Sequence, residues 1–251
     1  MRVDIRNCLV FLVDGLAGTA ALAGASAPVA GATSLTVGSV ATNTPAGITI
    51  PVGAGIAVAG ETSPVPHVVT AATPGGTSEA PTVALTISPA LGAGTYTATG
   101  AVTISNQQLE ISVGEGDVKW TSGTKYIYDL DRGHLDDVRQ GDDEPLEVAM
   151  NFTFVHITSA SGEAVTPIEA LTQAGAASDW VSYDADQCQP YAVGVLIQND
   201  PNCSQEEWES YLFPLFRSEK REFNIKTANI AISGHCNVTD PICTRPYGSS
   251  S

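Results

Sequence analysis

Leu109-Glu110-Ile111-Ser112-Val113 alternates apolar and polar residues, turns at Gly114-Glu115-Gly116-Asp117, and resumes from Val118 to Thr121 and from Lys125 to Leu130. In an extended chain successive side chains point to opposite faces, so this alternation predicts antiparallel strands with one apolar and one solvated side. Downstream, Leu146 to Thr158 repeats the pattern, placing Val148, Met150, Phe152, Phe154, His156 and Thr158 on one face. Further strands are expected at Ala192 to Gln198, Trp208 to Phe216, Glu222 to Lys226 and Asn229 to Ser233, with Asn237 to Ser251 as a tail.

Upstream the character changes. Residues 2–13 read as one strand turning at Asp14-Gly15, and Leu16 to Ala27, rich in Ala and Gly, reads as a loop or short helix leading away from the core. From Gly31 come short β-branched runs between Pro and Gly: Ser34 to Val37, Gly47 to Pro51, Gly55 to Ala59, His67 to Thr70, Thr82 to Ile87 and Ala101 to Ile104. Turn signals at such short intervals predict a small all-β module over residues 26–104. A disordered linker is the alternative, but it has no physical need for Val and Ile at alternating positions. One helix is predicted at Thr166-Pro167-Ile168-Glu169, where Thr166 caps, Pro167 suits the first helical position and Glu169 completes a capping box. It should end near Gly175, with Trp180 anchoring it to a sheet.

The 251 residues carry 27 Asp plus Glu against 11 Lys plus Arg, a net charge of −16. Such a surface repels phosphates and anionic membranes. Residues 26–104 contain no Lys or Arg and only Glu61 and Glu79, so the charge lies almost wholly outside the module. No stretch approaches the roughly 20 apolar residues that cross a bilayer. The run Cys8 to Val13 is cut short by Asp14 and preceded by Asp4, which favours a first strand over a signal peptide.

Cys8, Cys188, Cys203, Cys236 and Cys243 form no C-x-x-C pair, so free or buried thiols or a pairwise bridge are expected, with a zinc site from Cys188, Cys203, Cys236 and His235 as the alternative. No P-loop, dinucleotide-binding, H-E-x-x-H or G-x-S-x-G pattern occurs, and His67, His134, His156 and His235 are dispersed. No catalytic residue, metal site or cofactor is therefore assigned. The acid-rich stretch 129–147 lacks the ligand spacing of an EF-hand and reads as a loop at an interface, with Arg132 and Arg139 bridging to carboxylates.

Tyr126-Ile127-Tyr128-Asp129-Leu130-Asp131, with Leu135-Asp136-Asp137-Val138-Arg139-Gln140-Gly141-Asp142-Asp143-Glu144-Pro145-Leu146-Glu147-Val148, resembles the loop and strand of tail tube proteins of long-tailed bacteriophages. The likeness continues through Thr166 to Ala170, Asp179-Trp180-Val181, Cys188 to Val193 and Ser233 to Thr239, covering residues 1–15 and about 105–240. Residues 26–104 resemble the small β modules that decorate phage virion proteins.

The resemblance implies a mainly β fold: a β-sandwich or half-barrel with one flanking helix over residues 1–25 and 105–251, and a small all-β domain over 26–104 on the outer surface. It implies a structural virion protein and not an enzyme, assembled in the host cytoplasm. Six copies would close into a ring through sheet-to-sheet pairing, and rings would stack into a hollow tube. Its partners are then itself and other tail proteins, with DNA passing through the lumen without specific binding and no membrane involved. Arg132, Asp136, Asp137, Arg139, Asp142, Asp143 and Glu144 are the expected subunit or ring contacts, and Glu110, Asp117 and Glu147 the expected lumen-lining acids. The rivals are a β-rich surface-binding adhesin, against which stands Tyr96 as the sole aromatic of residues 26–104, a head–tail completion protein and a hydrolase.

Overall fold

The structure, a computed structural model, describes residues 8–43, 50–62, 67–77, 80–111, 117–131, 134–153, 165–186, 188–199, 210–224, 227 and 229–244. The fold is mainly β, with one short α-helix among the described residues. The chain divides into two compact units, one formed by Met1–Phe11, Glu110–Val155 and Ala192–Ser251, the other by Leu12–Leu109 and His156–Tyr191.

The second unit contains a closed six-stranded antiparallel barrel. Its strands are β2 (Gly18–Leu22), β3 (Ser34–Thr42), β4 (Ala54–Val58), β5 (His67–Gly76), β6 (Pro81–Ser88) and β7 (Ala101–Ile111), all but the end of β7 lying in this unit. They pair in the order β2-β3-β6-β5-β4-β7, and β2 closes the circle by pairing with β7, Gly18 opposite Ile104 and Ala20 opposite Val102. Alternation does the rest: β6 buries Val83, Leu85 and Ile87 and turns Ala84, Thr86 and Ser88 outward. With Leu35, Val37, Ile56, Val58, Val69, Val102 and Ile104 these side chains fill the barrel, and closure leaves no free edge.

The passage Leu16 to Ala27 is therefore not a loop or helix leading away. It is β2, with Leu16, Ala20 and Leu22 buried. Its small residues hid the period, because Ala20 is a weak apolar marker and Gly18 is there for close approach: a Cβ on Gly18 would collide with the Ala41 carbonyl. The run 101–104 and the run beginning at Gln108 are likewise one strand, β7.

One end of the barrel is closed by a buried polar cluster. His67 and Glu61 side chains are 0% and 1% exposed and lie 3.2 Å apart, Nε2 to Oε2. His67 Nδ1 faces the Pro89 carbonyl at 2.8 Å, Glu61 Oε1 accepts from Gly92 N–H at 2.6 Å, and the Tyr96 hydroxyl donates to the Gly92 carbonyl. Burial and the Glu61 charge both raise the Tyr96 pKa. The chain can pass so close here because Gly60, at φ +105, lies against Thr95 where a Cβ would not fit.

The same unit is tied to the helical segment by Asp14, which is fully buried. Its Oδ1 accepts from Gln107 N–H at 2.7 Å and Leu16 N–H at 3.2 Å, its Oδ2 from Val181 N–H at 3.2 Å, and its carbonyl from Asn106 Nδ2 at 2.7 Å. Gly15 N–H donates to the Val181 carbonyl, and a side chain at Gly15 would strike the Ser182 carbonyl. Val181 in turn packs on the barrel core. Helix α1 (Pro167–Thr172) starts as its sequence predicts, with Glu169 N–H bonded to Thr166 Oγ1 and Thr166 N–H to Glu169 Oε2. The bonds from Thr166 lower the Glu169 pKa. The helix stops short of Gly175, at a left-handed Gln173 whose side chain donates to the carbonyl of buried Trp180 at 2.6 Å.

In the first unit, β1 (Cys8–Val13), which ends across the division, lies beside β12 (Val193–Asn199). Beyond it the order runs β13 (Ser210–Asn224), β14 (Asn229–Cys236), β11 (Leu146–Thr153) and β8 (Asp117–Thr121). The two strands expected at 208–216 and 222–226 are one, β13. It bends at Leu215, φ +56, and again where the register shifts between Ser218 and Lys220. Its first half pairs with β12 and with β15 (Ile242–Thr244), so the expected tail 237–251 contains a strand. Trp120 of β8 meets Tyr211 and Phe213 of that first half at ring distances of 5.7 and 5.3 Å, so the sheet turns back over its own apolar side. Val148, Met150 and Phe152 are buried there as expected, while Phe154, His156 and Thr158 lie outside the described residues.

Burial raises the Asp14 carboxyl from 3.8 to about 6 against the pull of its three N–H donors, with Asp179 adding to the rise. Folding thus favours the protonated form, so the stability this gives is complete below about pH 4 and lost as pH rises through the folded value. Asn mimics the protonated side chain. From about pH 4 to about pH 8 the stability difference between Asp14→Asn and the parent, read by urea unfolding, should move in the variant's favour by up to about 3 kcal/mol. A shift of the opposite sign means that the three N–H bonds outweigh desolvation.

Candidate functional site

The acid-rich stretch 129–147 is not a loop. It forms most of an antiparallel ribbon, β9 (Thr124–Asp131) and β10 (His134–Asp143), which makes a two-stranded sheet of its own. Carboxylates are poor strand formers, and their density hid the alternation beneath. In register, Tyr126 faces Gln140, Ile127 faces Arg139, Tyr128 faces Val138 and Asp129 faces Asp137. One face therefore collects Tyr126, Tyr128, Leu130 and Val138, and the other Ile127, Asp129, Asp137 and Arg139. The apolar face is uncovered: Tyr126 is 53% exposed, Tyr128 58%, Leu130 66% and Val138 44%. An isolated hairpin is marginal in water, and a contiguous apolar stripe on one marks a surface meant to be covered.

The expected contact residues fall on or beside this ribbon. Asp137 and Arg139 are exposed on its charged face, where Arg139 Nε lies 3.6 Å from Asp129 Oδ2. Asp142, Asp143 and Glu144 are exposed at its base. Arg132 and the side chain of Asp136 lie outside the described residues. Sequence reasoning found the charges and missed the tyrosine stripe, although Tyr126-Ile127-Tyr128 already carried its signal.

The second surface is the solvated side of the sheet β13-β14-β11-β8. Cross-strand pairing places Asp117, Asn151, Ala231 and Glu222 in one row, Lys119, Ala149, Ser233 and Lys220 in the next, and Thr121, Glu147, His235 and Arg217 in a third. Two of the three expected lumen acids, Asp117 and Glu147, thus share this face, whereas exposed Glu110 sits on β7. The face is mixed in sign and not purely acidic. Its lysines are held by carboxylates two residues away: Lys119 Nζ lies 3.3 Å from Asp117 and Lys220 Nζ 2.7 Å from Glu222, which raises the Lys220 pKa by hydrogen bond and charge. His235 Nδ1 lies 2.9 Å from Glu219. An open groove of about 290 Å³ runs across the first two rows.

Among the described residues both edges of this sheet are open. β8 pairs with β11 on one side and, among the described residues, with no strand on the other. At the far edge β12 covers β13 only as far as Phe216, so from Ser218 to Glu222 that strand has β14 on one side and no described strand on the other.

Among the described residues no group of three or more His, Cys, Asp or Glu side chains is placed to hold a metal ion. Cys188 is exposed, Cys236 is buried with its thiol pushed up to about 12 by burial against the opposing Arg217 charge, and Cys203 lies outside the described residues. No described helix is long and apolar enough to cross a membrane.

If the ribbon's apolar face is a contact surface, Tyr126→Ser/Tyr128→Ser should lower the average oligomer size in sedimentation velocity. Exposed positions change fold stability by within about 0.5 kcal/mol, so the circular dichroism melt should not move. An unchanged sedimentation profile assigns the stripe no part in association. No protein-family model, curated protein or solved structure matches the chain.

Proposed function

We propose that this chain is a self-assembling structural subunit of the virion, the tail tube protein of a long-tailed phage, whose rings stack into a hollow tube that conducts DNA. The observation that carries the reading is the pair of open edges. β13 runs antiparallel to β14, β14 to β11 and β11 to β8, so the two edge strands point in opposite directions. When copies are set side by side around an axis, β8 of one therefore meets β13 of the next antiparallel, the better-bonded arrangement. The contact is heterologous, and a closing rotation makes a ring in which no edge remains.

The rest of the first unit supports this use. The solvated face, continued round the ring, would line the lumen, and its lysines already bind carboxylates, so passing phosphates meet few uncommitted cations. The ribbon β9-β10 supplies an apolar stripe for contact between neighbouring copies, with Arg139 and Asp129 beside it.

Negative-stain microscopy of the purified protein, run beside sedimentation, tests the reading. Hollow tubes or sixfold rings are expected, and a particle that stays monomeric under all conditions counts against it. Arg139→Gln removes an exposed pair worth about 0–1 kcal/mol to the fold. It should reduce tube yield while leaving the monomer folded, and tubes at normal yield would remove Arg139 from the interface.

A further inference from the structure

If copies join edge to edge as proposed above, the charges on the two edges decide how the strands are offset, and this inference rests on that reading. Within one copy Lys119 shares a row with Lys220, and Asp117 with Glu222. A flush seam, in which every row continues into the next copy at the same height, would set Lys119 opposite the neighbour's Lys220 and Asp117 opposite its Glu222. Like charges directly opposite in an antiparallel pair are destabilising. The flush seam would also run Trp120 and Thr121 against the shift between Ser218 and Lys220, where β13 is irregular.

Few offsets survive. A slip of one residue exchanges the two faces and would turn Trp120 toward the polar side, so only even offsets keep the apolar side covered. Two residues toward β12 would bring Asp117 to Lys220, but Trp120 would then need the side of Phe216 that Val193 of β12 already occupies. Two residues the other way meets neither obstacle. It sets Lys119 opposite Glu222, Thr121 opposite Lys220, Trp120 opposite Arg221 and Val118 opposite Phe223, all on the regular stretch of β13. On the apolar side it gives Phe223, 48% exposed, and Trp120, 42% exposed, a neighbour across the seam.

We propose that neighbouring copies pair β8 with Lys220–Phe223 of β13 at this two-residue offset, with Lys119 bound to Glu222 of the next copy. The pairs within each copy are exposed and weak, so exchanging Glu222 from Lys220 to the neighbour's Lys119 costs little. The offset also meets a geometric need, since a closed barrel requires its strands to stagger and tilt, and rows joined flush at every seam would add no stagger.

Disulfide trapping reads the offset. Directly opposite Cβ atoms lie about 4.5–5.5 Å apart, near enough to bridge with slight adjustment, whereas positions 119 and 222 of one copy are separated by three strand spacings of about 4.8 Å each. Lys119→Cys/Glu222→Cys should oxidise to a ladder of linked multimers, and Lys119→Cys/Lys220→Cys should not. As a second measurement, Glu222→Lys should lose assembly and Lys119→Glu/Glu222→Lys should regain it. A ladder only from the 119/220 pair, or oligomers that give no ladder from either, overturns the offset while leaving self-assembly standing. Protein that sediments as monomer in every form, parent included, overturns the assembly reading itself and the offset with it.

Discussion

A strand edge is a row of backbone donors and acceptors that must be bonded by something, and this chain meets that constraint in two opposite ways. In the unit built on Leu12–Leu109 the sheet closes on itself, β2 returning to β7, and every edge of the barrel is consumed internally. In the other unit, among the described residues, the sheet β13-β14-β11-β8 stays open at both ends. The short length of β8 and the charges on both edges are the usual guards against promiscuous pairing.

The basic residues follow the same division. Of the two acids in residues 26–104, Glu61 is spent inside the barrel on His67 and Gly92, and Glu79 lies outside the described residues. Between Gly18 and Gln108 the described outer surface of the barrel strands carries no charged side chain and is mostly threonine, serine, alanine and glycine, with Val68, Pro74, Pro81 and Gln108 also exposed; the first charge is Glu110 near the end of β7. The sheet β13-β14-β11-β8 carries Asp117, Lys119, Glu147, Arg217, Glu219, Lys220 and Glu222 on its solvated side. The net charge of −16 divides evenly between the two units, but all eleven Lys and Arg lie in the unit that holds this sheet, and the barrel's unit carries eight acids and no basic residue.

How much of this was legible depended on how each element carries its signal. The helix start was plain because Thr166, Pro167 and Glu169 each act locally, through a cap, a fixed φ and a returning carboxylate. Strands with Val, Leu or Ile at alternate positions, such as β6 and β11, were equally plain. β2 was not, because a strand buried between two neighbours can be built from Gly18, Ala20 and Ala21, whose fitness depends on how near β3 and β7 come. β10 was obscured by its carboxylates, and β15 is only three residues long. Asp14 looked like an interruption of an apolar run. Its role as the point where Leu16, Gln107 and Val181 converge rests on contacts more than 90 residues apart in sequence.

The same distinction explains why the charges were readable but their register was not. Arg139, Asp137 and the acids beside them stood out through composition alone, whereas the rows that align Lys119 with Lys220 exist only once four strands have paired. Composition reports which charges a surface holds, and register reports which of them oppose each other across a seam. A sequence with the same charges moved by two positions on β8 would keep its net charge and its strand pattern. With the Lys moved to where Asp117 stands, the flush seam would set it opposite Glu222, and that seam, not the staggered one, would become the complementary arrangement. In the assembly proposed, the stagger would be encoded by the relative phase of two charged pairs on strands far apart in the chain, and pairing must come before that phase has any physical meaning.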